Sequence, residues 1–232
     1  MRAAEKPEIA ALPLFASMEA SQRERIFNAA FLQVFPAQLT LFEQAQQADF
    51  LHVLIDGLVE LYTSNGDRDC SMAIIRPVRS FILAAVYTDQ RYLMSARTLT
   101  PSRILMIPAD LIREVIETDK ALMRAAMAEL AIGFRHFVRA LTDMKLRQSV
   151  ERLANFLLME SNYLGEADQF TLPVEKRILA SLLGMTAENL SRAIAALQPM
   201  GVNISGMTVQ ITNRAKLRSF ARPDAFLDQY DR

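Results

Sequence analysis

The sequence has little of what many catalytic and metal sites require. One cysteine, Cys70, stands among 232 residues, which excludes an intrachain disulfide, a multi-cysteine zinc site and a four-cysteine iron–sulfur cluster within one chain. There are only 7 glycines, and we find no phosphate-cradling glycine loop, no nucleophile–base–acid set and no metal-spaced His/Glu motif. We therefore expect a protein that is not an enzyme and that holds no iron–sulfur cluster.

Long apolar runs and net charge are also missing. No stretch approaches the roughly 20 apolar residues of a membrane helix, and MRAAEKPEIA at the N-terminus has no run of signal-peptide length, so we expect a cytoplasmic protein. The formal net charge is zero. Residues 171–222, however, carry seven basic against two acidic residues, a local surplus that suits phosphate contacts, although a solvated basic face would give the same count. The basic residues are Lys176, Arg177, Arg192, Arg214, Lys216, Arg218 and Arg222.

Residues 33–108 form a succession of short apolar, partly alternating runs separated by turn signals. The runs at 50–62 and 71–75 flank Asn65-Gly66, a dipeptide typical of hairpin turns. Short strands at regular spacing indicate an antiparallel roll or barrel.

After Pro108 the pattern becomes helical, with a short helix predicted at 109–117 and a long one at about 119–145. Apolar residues in the long helix alternate by four and three positions, which is the seam of a two-stranded coiled coil. We favour a homodimer over a helix that packs only on its own domain. The seam residues are Met123, Met127, Leu130, Phe134, Phe137, Leu141 and Met144.

Residues 176–197 predict a helix, a sharp turn and a second helix. Small Ala180 permits close helix packing, Gly184 stands at the turn, and Thr186 is a natural N-cap for the second helix. This spacing matches a helix-turn-helix. Two short strands around Ser205-Gly206 follow it and predict a wing.

In this order of elements the chain resembles the CRP/FNR family, that of the cyclic-AMP receptor protein and the fumarate–nitrate regulator. The likeness includes FPAQLTLFEQ and ADFLHVLIDGLVELY in the roll, and LGMTAENLSRAIAALQPMGV resembles the nitric-oxide-responsive regulators of denitrification. The resemblance implies an α+β fold: an antiparallel β-roll sensor of the cupin-like, cyclic-nucleotide-binding type at 1–117, a dimerisation helix at 118–146 and a winged helix-turn-helix at 147–232. It also implies a transcription regulator whose partners are double-stranded DNA and RNA polymerase.

The second helix of the motif carries the family's E-x-x-S-R pattern for base contacts as Glu188, Ser191 and Arg192. A carboxylate accepts from cytosine N4, and a guanidinium spans O6 and N7 of guanine. Ala187 stands where the cyclic-AMP group has arginine, which predicts a palindrome of TTG-type half-sites rather than TGTGA. Glu188 alternatively complements the helix dipole, and Arg192 alternatively contacts phosphate. The other predicted DNA contacts are Thr186, Lys176 and Arg177.

The resemblance also limits the effector. Cyclic-AMP binders carry a Gly-Glu pair and an Arg-Ser pair where this chain has Leu83-Ala84 and Met94-Ser95. A buried phosphate without the arginine is costly, so we expect no cyclic AMP. An apolar pocket facing the long helix remains. Its predicted lining is Phe81, Ile82, Leu83, Val86, Leu93, Met94 and Ser95.

The likeness to nitric-oxide-responsive regulators implies haem, for which His136 and His52 are the candidate iron ligands. For each histidine taken alone, we favour a hydrogen-bonded structural or an exposed residue over an iron ligand. Cys70 is expected to be a buried filling residue. Two alternatives stay open. One is a regulator of the same fold that senses an organic ligand or redox state, and the other is a β-roll ligand-binding protein that acts through protein contacts instead of DNA.

Overall fold

The computed structural model describes residues 1–66, 68–224 and 226–228. They form two compact units, Met1–Phe134 and a second that begins at Arg135, and each is treated separately below. The boundary between the units falls inside the long helix. The predicted division into three parts at 117/118 and 146/147 differs from this boundary, and it stays a prediction.

The N-terminal unit consists of helices around two antiparallel sheets. Its helices are α1 (Lys6–Ala10), α2 (Ala20–Ala29), α3 (Leu83–Tyr87), α4 (Ala109–Thr118) and the first part of α5 (Lys120–Leu146). Its strands are β1 (Phe31–Phe35), β2 (Thr40–Phe42), β3 (Phe50–Asp56), β4 (Val59–Asn65), β5 (Arg68–Ile75), β6 (Arg79–Phe81), β7 (Ser95–Thr98) and β8 (Ser102–Pro108).

The strand orders are β1-β8-β3-β6 and β2-β7-β4-β5, and every pairing is antiparallel. One buried cluster takes Leu54 and Ile104 from the first sheet and Val59 and Ala96 from the second, so the core holds the two sheets together. The predicted antiparallel roll and α+β class are confirmed. The predicted hairpin is present between β4 and β5, with Asn65 as the last residue of β4 and paired with Arg68.

The turn from β3 to β4 requires glycine at one position. Gly57 has φ +97°, and a Cβ there would lie 2.7 Å from both the Pro101 carbonyl oxygen and the Ser102 Cα. Backbone atoms cannot move aside as a flexible side chain can, so any larger residue would separate this turn from the start of β8.

Asp119 sets the start of α5. Its buried carboxylate accepts hydrogen bonds from the backbone N–H groups of Ala121 and Leu122 at 2.8 and 3.0 Å, which caps the helix, and from the Glu19 N–H at 2.9 Å. A buried carboxylate with three donors is satisfied, and here it also ties α2 to the beginning of the long helix.

The C-terminal unit contains the rest of α5, further helices and a three-stranded antiparallel sheet of order β10-β11-β9. Its elements are α6 (Ser149–Tyr163), β9 (Gln169–Thr171), α7 (Lys176–Leu182), α8 (Ala187–Leu197), β10 (Val202–Ser205), β11 (Thr208–Ile211) and α9 (Arg214–Ala221). The Glu160 side chain of α6 is buried. Among the described residues, no helix is long and apolar enough to cross a membrane.

Candidate nucleic-acid interface and sensor site

The turn between α7 and α8 is built by three backbone hydrogen bonds and one glycine. Leu183 N–H donates to the Leu179 carbonyl at 3.0 Å, Gly184 N–H to Ser181 at 2.9 Å and Met185 N–H to Ala180 at 2.9 Å. Gly184 has φ +62°, the left-handed conformation that closes a helix at little cost for glycine. The predicted sharp turn is therefore present at the predicted residue.

Thr186 starts α8 as an N-cap. Its backbone is extended, and its Oγ1 accepts the Asn189 N–H at 3.2 Å. This hydrogen bond satisfies one of the helix's first free donors. Leu190 and Leu197 on the opposite face are buried and anchor α8 in the unit.

The residues predicted to read bases lie together on the free face of α8. The side chains of Glu188 and Arg192 are 88% and 73% exposed, and Ala187 and Ser191 are also exposed. The Ser191 hydroxyl donates to the Ala187 carbonyl at 3.1 Å, so its oxygen remains available as an acceptor. None of these residues contributes to the core, and α8 thus presents a guanidinium, a carboxylate and a hydroxyl to the outside.

Asn189 was absent from the predicted site, yet it contacts the main member of it. Arg192 Nη2 donates to Asn189 Oδ1 at 2.7 Å, whereas Glu188 Oε2 lies 3.8 Å from the same nitrogen. The i,i+3 spacing of Asn189 and Arg192 is the sequence signal that could have identified this contact.

The basic residues between positions 171 and 222 differ in their surroundings: some are exposed, and others are paired within the unit. Arg177 is exposed and Lys176 half-buried at the start of α7. Arg214, in contrast, has partners inside the unit: its Nη2 lies 2.6 Å from Ser161 Oγ, 2.7 Å from the Glu166 carbonyl oxygen and 2.9 Å from Asp168 Oδ1. Its charge is therefore paired with Asp168, which lowers the local basic surplus available for phosphate contacts.

The wing is confirmed as a hairpin. β10 and β11 pair with Ser205 opposite Thr208, and β9 extends the sheet by pairing Thr171 with Thr208 and Phe170 with Val209. The third strand fixes the wing to the segment before α7, so the wing and the helix-turn-helix form one module.

The junction between α5 and α6 is held by Arg147. Its Nη1 donates to Asp143 and to Asp228 Oδ1, both at 2.7 Å, and its Nη2 donates to Asp228 Oδ2 at 2.6 Å. Hydrogen bonding to Asp228 holds the pKa of Arg147 above its usual range. Burial raises the pKa of Asp143 despite the nearby guanidinium. The segment that contains Asp228 is thus fastened to the end of the long helix.

Arg152 connects the same junction to the helix-turn-helix. It donates through Nη1 to the Arg147 carbonyl at 2.7 Å, through Nε to the Leu183 carbonyl at 2.8 Å and through Nη2 to the Gly184 carbonyl at 3.3 Å. Met144 reaches the same turn, since its Cε would lie 3.0 Å from a Cβ built on Gly184. The end of α5 and the turn before α8 are therefore directly linked within the C-terminal unit.

The predicted dimer seam is an exposed apolar stripe on α5. Leu130 differs from the others, because it is half-buried against the core of the N-terminal unit. The remaining six side chains leave much of their apolar surface open. They are Met123 (39% exposed), Met127 (65%), Phe134 (67%), Phe137 (59%), Leu141 (42%) and Met144 (54%).

The predicted effector pocket does not form as one lined cavity. Phe81, Leu83 and Val86 are buried in the core, and Leu93 is 80% exposed, so the assignment of Leu93 to a pocket is wrong. Ser95 is buried and its Oγ accepts the Gln44 N–H at 2.9 Å. The remaining two predicted lining residues are half-buried. They are Ile82 and Met94.

An aromatic cluster surrounds His52 in place of a cavity. The His52 ring lies 5.1 Å from the ring centroid of Phe42 and 5.3 Å from that of Phe81, and Tyr92 stacks on Phe42 at 3.9 Å. Burial lowers the pKa of His52 to about 4, so its imidazole is neutral at pH 7. Its Nδ1 is buried, and no hydrogen-bond partner for this atom is found in the part of the chain that the structure describes.

Haem does not fit His52 as it stands. A neutral imidazole nitrogen is chemically suited to iron, but protein atoms cover Nδ1 and the stacked rings fill the space beside it. His136 lies half-buried on α5 in the C-terminal unit. Among the residues described, no group of three or more histidine, cysteine or acidic side chains could hold a metal ion.

A buried polar network in the second sheet was not predicted. Arg97 Nε donates to Glu60 at 2.7 Å and its Nη1 to Asp69 at 2.9 Å, while the guanidinium lies 4.4 Å from the Tyr62 ring centroid. Glu60 is fully buried and also accepts from the Ser71 hydroxyl. The alternation of β7 places Arg97 on the same face as Ser95. Two carboxylates already neutralise the guanidinium.

Cys70 lies on β5 and is exposed. The expectation that it fills the core was wrong. The residue falls near the end of the hairpin, where the strand extends beyond the part that packs on the core.

Two protein domain families match this chain, one in each of its two units. The cyclic nucleotide-binding domain family matches residues 32–119, and the Crp-like helix-turn-helix domain family matches residues 151–220. The CRP-like cAMP-activated global transcriptional regulator of Mycobacterium tuberculosis is 24% identical over 194 residues, which are 81% of this chain and 87% of that protein.

Two further similarities agree. The nitrogen fixation regulation protein FixK of Azorhizobium caulinodans is 25% identical over 199 residues, covering 80% of this chain and 77% of that protein. The structure of FixK2 from Bradyrhizobium japonicum shares the fold with a TM-score of 0.71 at 22% identity, over 82% of this chain and 96% of that one. With its roll, long helix and winged helix-turn-helix in this order, the chain belongs to the CRP/FNR family of DNA-binding transcription regulators.

Proposed function

We propose that the protein is a homodimer that reads a palindrome of TTG-type half-sites and acts on RNA polymerase in response to a small effector other than cyclic AMP. The observation that carries the proposal is the free face of α8. Glu188 and Arg192 are among its most exposed side chains, although the helix is anchored on its other face by buried leucines. A guanidinium suits guanine and a carboxylate suits cytosine, as in a G·C pair.

The exposed stripe on α5 supports a dimer of two copies of the chain. Phe134 and Phe137 leave 67% and 59% of their surface open, and side chains of this size are usually covered in the functional assembly. Their heptad spacing suits a second α5 as the covering surface. A two-fold axis would give the DNA site its palindromic symmetry.

The chemistry of the roll argues against cyclic AMP as the effector. The Mycobacterium tuberculosis relative is named as cAMP-activated, but this chain has Leu83 and Met94 where the family's cyclic-AMP binders have glycine and arginine. Arg97, which follows Met94 and lies on β7, is neutralised by Glu60 and Asp69. No guanidinium of this network is left for a phosphate, and burying an unpaired phosphate is costly.

An uncharged organic molecule would suit this chemistry, and it would require the buried side chains of Phe81 and Leu83 to move apart. Nitric oxide sensing through haem, which the resemblance suggests, would require the aromatic cluster at His52 to open or His136 to supply the ligand. An absorption spectrum of the protein after reconstitution with haem tests whether haem binds and which histidine binds the iron. A Soret band that is lost in His136→Ala would assign the iron ligand and overturn the organic effector.

The DNA-reading proposal is tested by selection from a pool of random duplexes with the purified protein. We expect enrichment of an inverted repeat with TTG half-sites, and binding of the selected duplex that weakens steeply with salt. Equal retention of all sequences would overturn sequence-specific reading. A thermal-unfolding series with added cyclic AMP tests the effector, and a rise in Tm with its concentration would contradict the exclusion.

A further inference from the structure

Arg192 has two acceptors within reach, and the structure shows which one holds it. Its Nη2 donates to Asn189 Oδ1 at 2.7 Å, a short hydrogen bond, while Glu188 Oε2 is 3.8 Å away, beyond hydrogen-bond range. Glutamate and arginine at i,i+4 otherwise form a favourable pair on an exposed helix. In this structure Glu188 and Arg192 form that pair only at 3.8 Å, as a loose ion pair without a hydrogen bond.

We infer that Asn189 is a positioning residue for base recognition: it holds the Arg192 guanidinium through the shorter contact, and Glu188 keeps only a loose ion pair with it. The inference rests on the proposed DNA-reading function and adds a residue outside the E-x-x-S-R pattern. A free arginine side chain loses much rotamer freedom on binding. A guanidinium that is already held along the helix surface loses less, which favours its bidentate contact with guanine.

The cap of α8 does not depend on the Asn189 side chain. The hydrogen bond to Thr186 Oγ1 comes from the Asn189 backbone N–H, which alanine retains. Alanine also has a higher helix propensity than asparagine. Asn189→Ala therefore keeps the helix folded, and a change in DNA recognition by this variant reports the lost side-chain contact.

The test compares discrimination ratios, defined as the Kd for a duplex with one altered base pair divided by the Kd for the selected duplex. A change in phosphate attraction that affects both duplexes equally cancels in this ratio. We expect Asn189→Ala to lower the ratio by ~2- to 10-fold, the range of a single hydrogen bond, at the same base pair where Arg192→Ala lowers it. Asn189→Asp keeps an acceptor oxygen and should preserve the ratio. Asn162→Ala, an exposed asparagine at the end of α6, serves as the matched control and should leave it unchanged.

The double variant separates positioning from direct reading. If Asn189 acts through Arg192, adding Asn189→Ala to Arg192→Ala lowers discrimination no further. A loss at a different base pair, or additive losses, would show that Asn189 reads DNA itself and would overturn the inference. Unchanged ratios in Asn189→Ala with intact DNA binding would also overturn it. If the native protein selects no sequence, the proposed function fails instead.

Discussion

Arg147 and Asp228 form a two-pronged ion pair across 81 residues of chain, with N–O distances of 2.7 and 2.6 Å. Both side chains are nearly buried, at 11% and 9% exposure. The pair joins the end of the long helix to the segment after α9, at the point where the chain enters the DNA-binding module.

Asp228→Asn should destabilise the C-terminal unit by about 1–3 kcal/mol, the range for hydrogen bonds to charged groups. Removing the Asp228 carboxylate leaves the Arg147 guanidinium in a poorly solvated place with Asp143 as its remaining carboxylate partner. Because the pKa of Arg147 lies above its usual range, the guanidinium stays charged and this contribution does not vary around neutral pH. Urea unfolding at pH 7 measures the change.

Asp168→Asn is the matched control for that experiment. It also removes a carboxylate from an arginine, Arg214 at 2.9 Å, but the Asp168 side chain is 71% exposed. Exposed pairs contribute about 0–1 kcal/mol, so its effect should be the smaller of the two. An equal loss in both variants would contradict the importance given to the burial of the Arg147–Asp228 pair.

His52 should make the stability of the protein fall in mild acid. The folded state keeps His52 neutral down to its pKa of about 4, whereas the unfolded chain takes up the proton near pH 6.5. Between these values the unfolded state binds more protons, so the free energy of unfolding decreases as pH falls, by up to about 3 kcal/mol in total. Chemical denaturation from pH 7 to pH 4 measures this slope.

His52→Phe should flatten that pH dependence, because phenylalanine fits among Phe42 and Phe81 and cannot take up a proton. The chain has only 2 histidines, so His136→Gln retains His52 and should retain the slope. If the free energy of unfolding changes with pH in the same way in the native protein and in His52→Phe, groups other than His52 cause the pH dependence.

Phe137→Glu should convert the proposed dimer to a monomer. The side chain is 59% exposed on a single chain, so the substitution does not disturb a core, but it removes about 1.5–3 kcal/mol of apolar burial per protomer and places two charges in the seam. Light scattering after gel filtration gives the molecular mass. Arg124→Glu, an exposed change outside the seam on the same helix, should remain dimeric. A Phe137→Glu variant that is still a dimer would refute the proposal that this stripe of α5 is the dimer interface.

Arg192→Ala should cost about 1–3 kcal/mol on the selected DNA and relax discrimination at one base pair. Arg177→Ala should weaken binding to all sequences alike and reduce the slope of log K against log salt by about 1, as expected for a phosphate contact. Binding isotherms at several salt concentrations distinguish the two. Identical behaviour of the variants would reduce Arg192 to a phosphate contact.

Features that depend on local sequence were predictable. Thr186 caps α8 and Gly184 turns the chain because each effect lies within four residues of its cause. The hairpins at Asn65-Gly66 and Ser205-Gly206 follow from turn chemistry in the same way.

Features that depend on partners distant in sequence could not be predicted in this way. β9 is three residues long, and it becomes a strand only because β11 supplies its hydrogen bonds. Arg214 has the sequence appearance of a DNA contact, but Ser161 and Asp168 hold it. Leu93 looked like pocket lining because apolar residues surround it in sequence, although the turn after α3 directs it outward. Such positions are decided by tertiary structure.

The three carbonyl contacts of Arg152 limit how this protein can be recombined with its relatives. One side chain binds the carbonyls of Arg147, Leu183 and Gly184, and Asp228 returns to Arg147. A chimera that exchanged only the helix-turn-helix, or that was joined at the α5–α6 junction, would divide this set of contacts between parents. The exchangeable unit in this protein therefore begins upstream of Asp143, within the long helix.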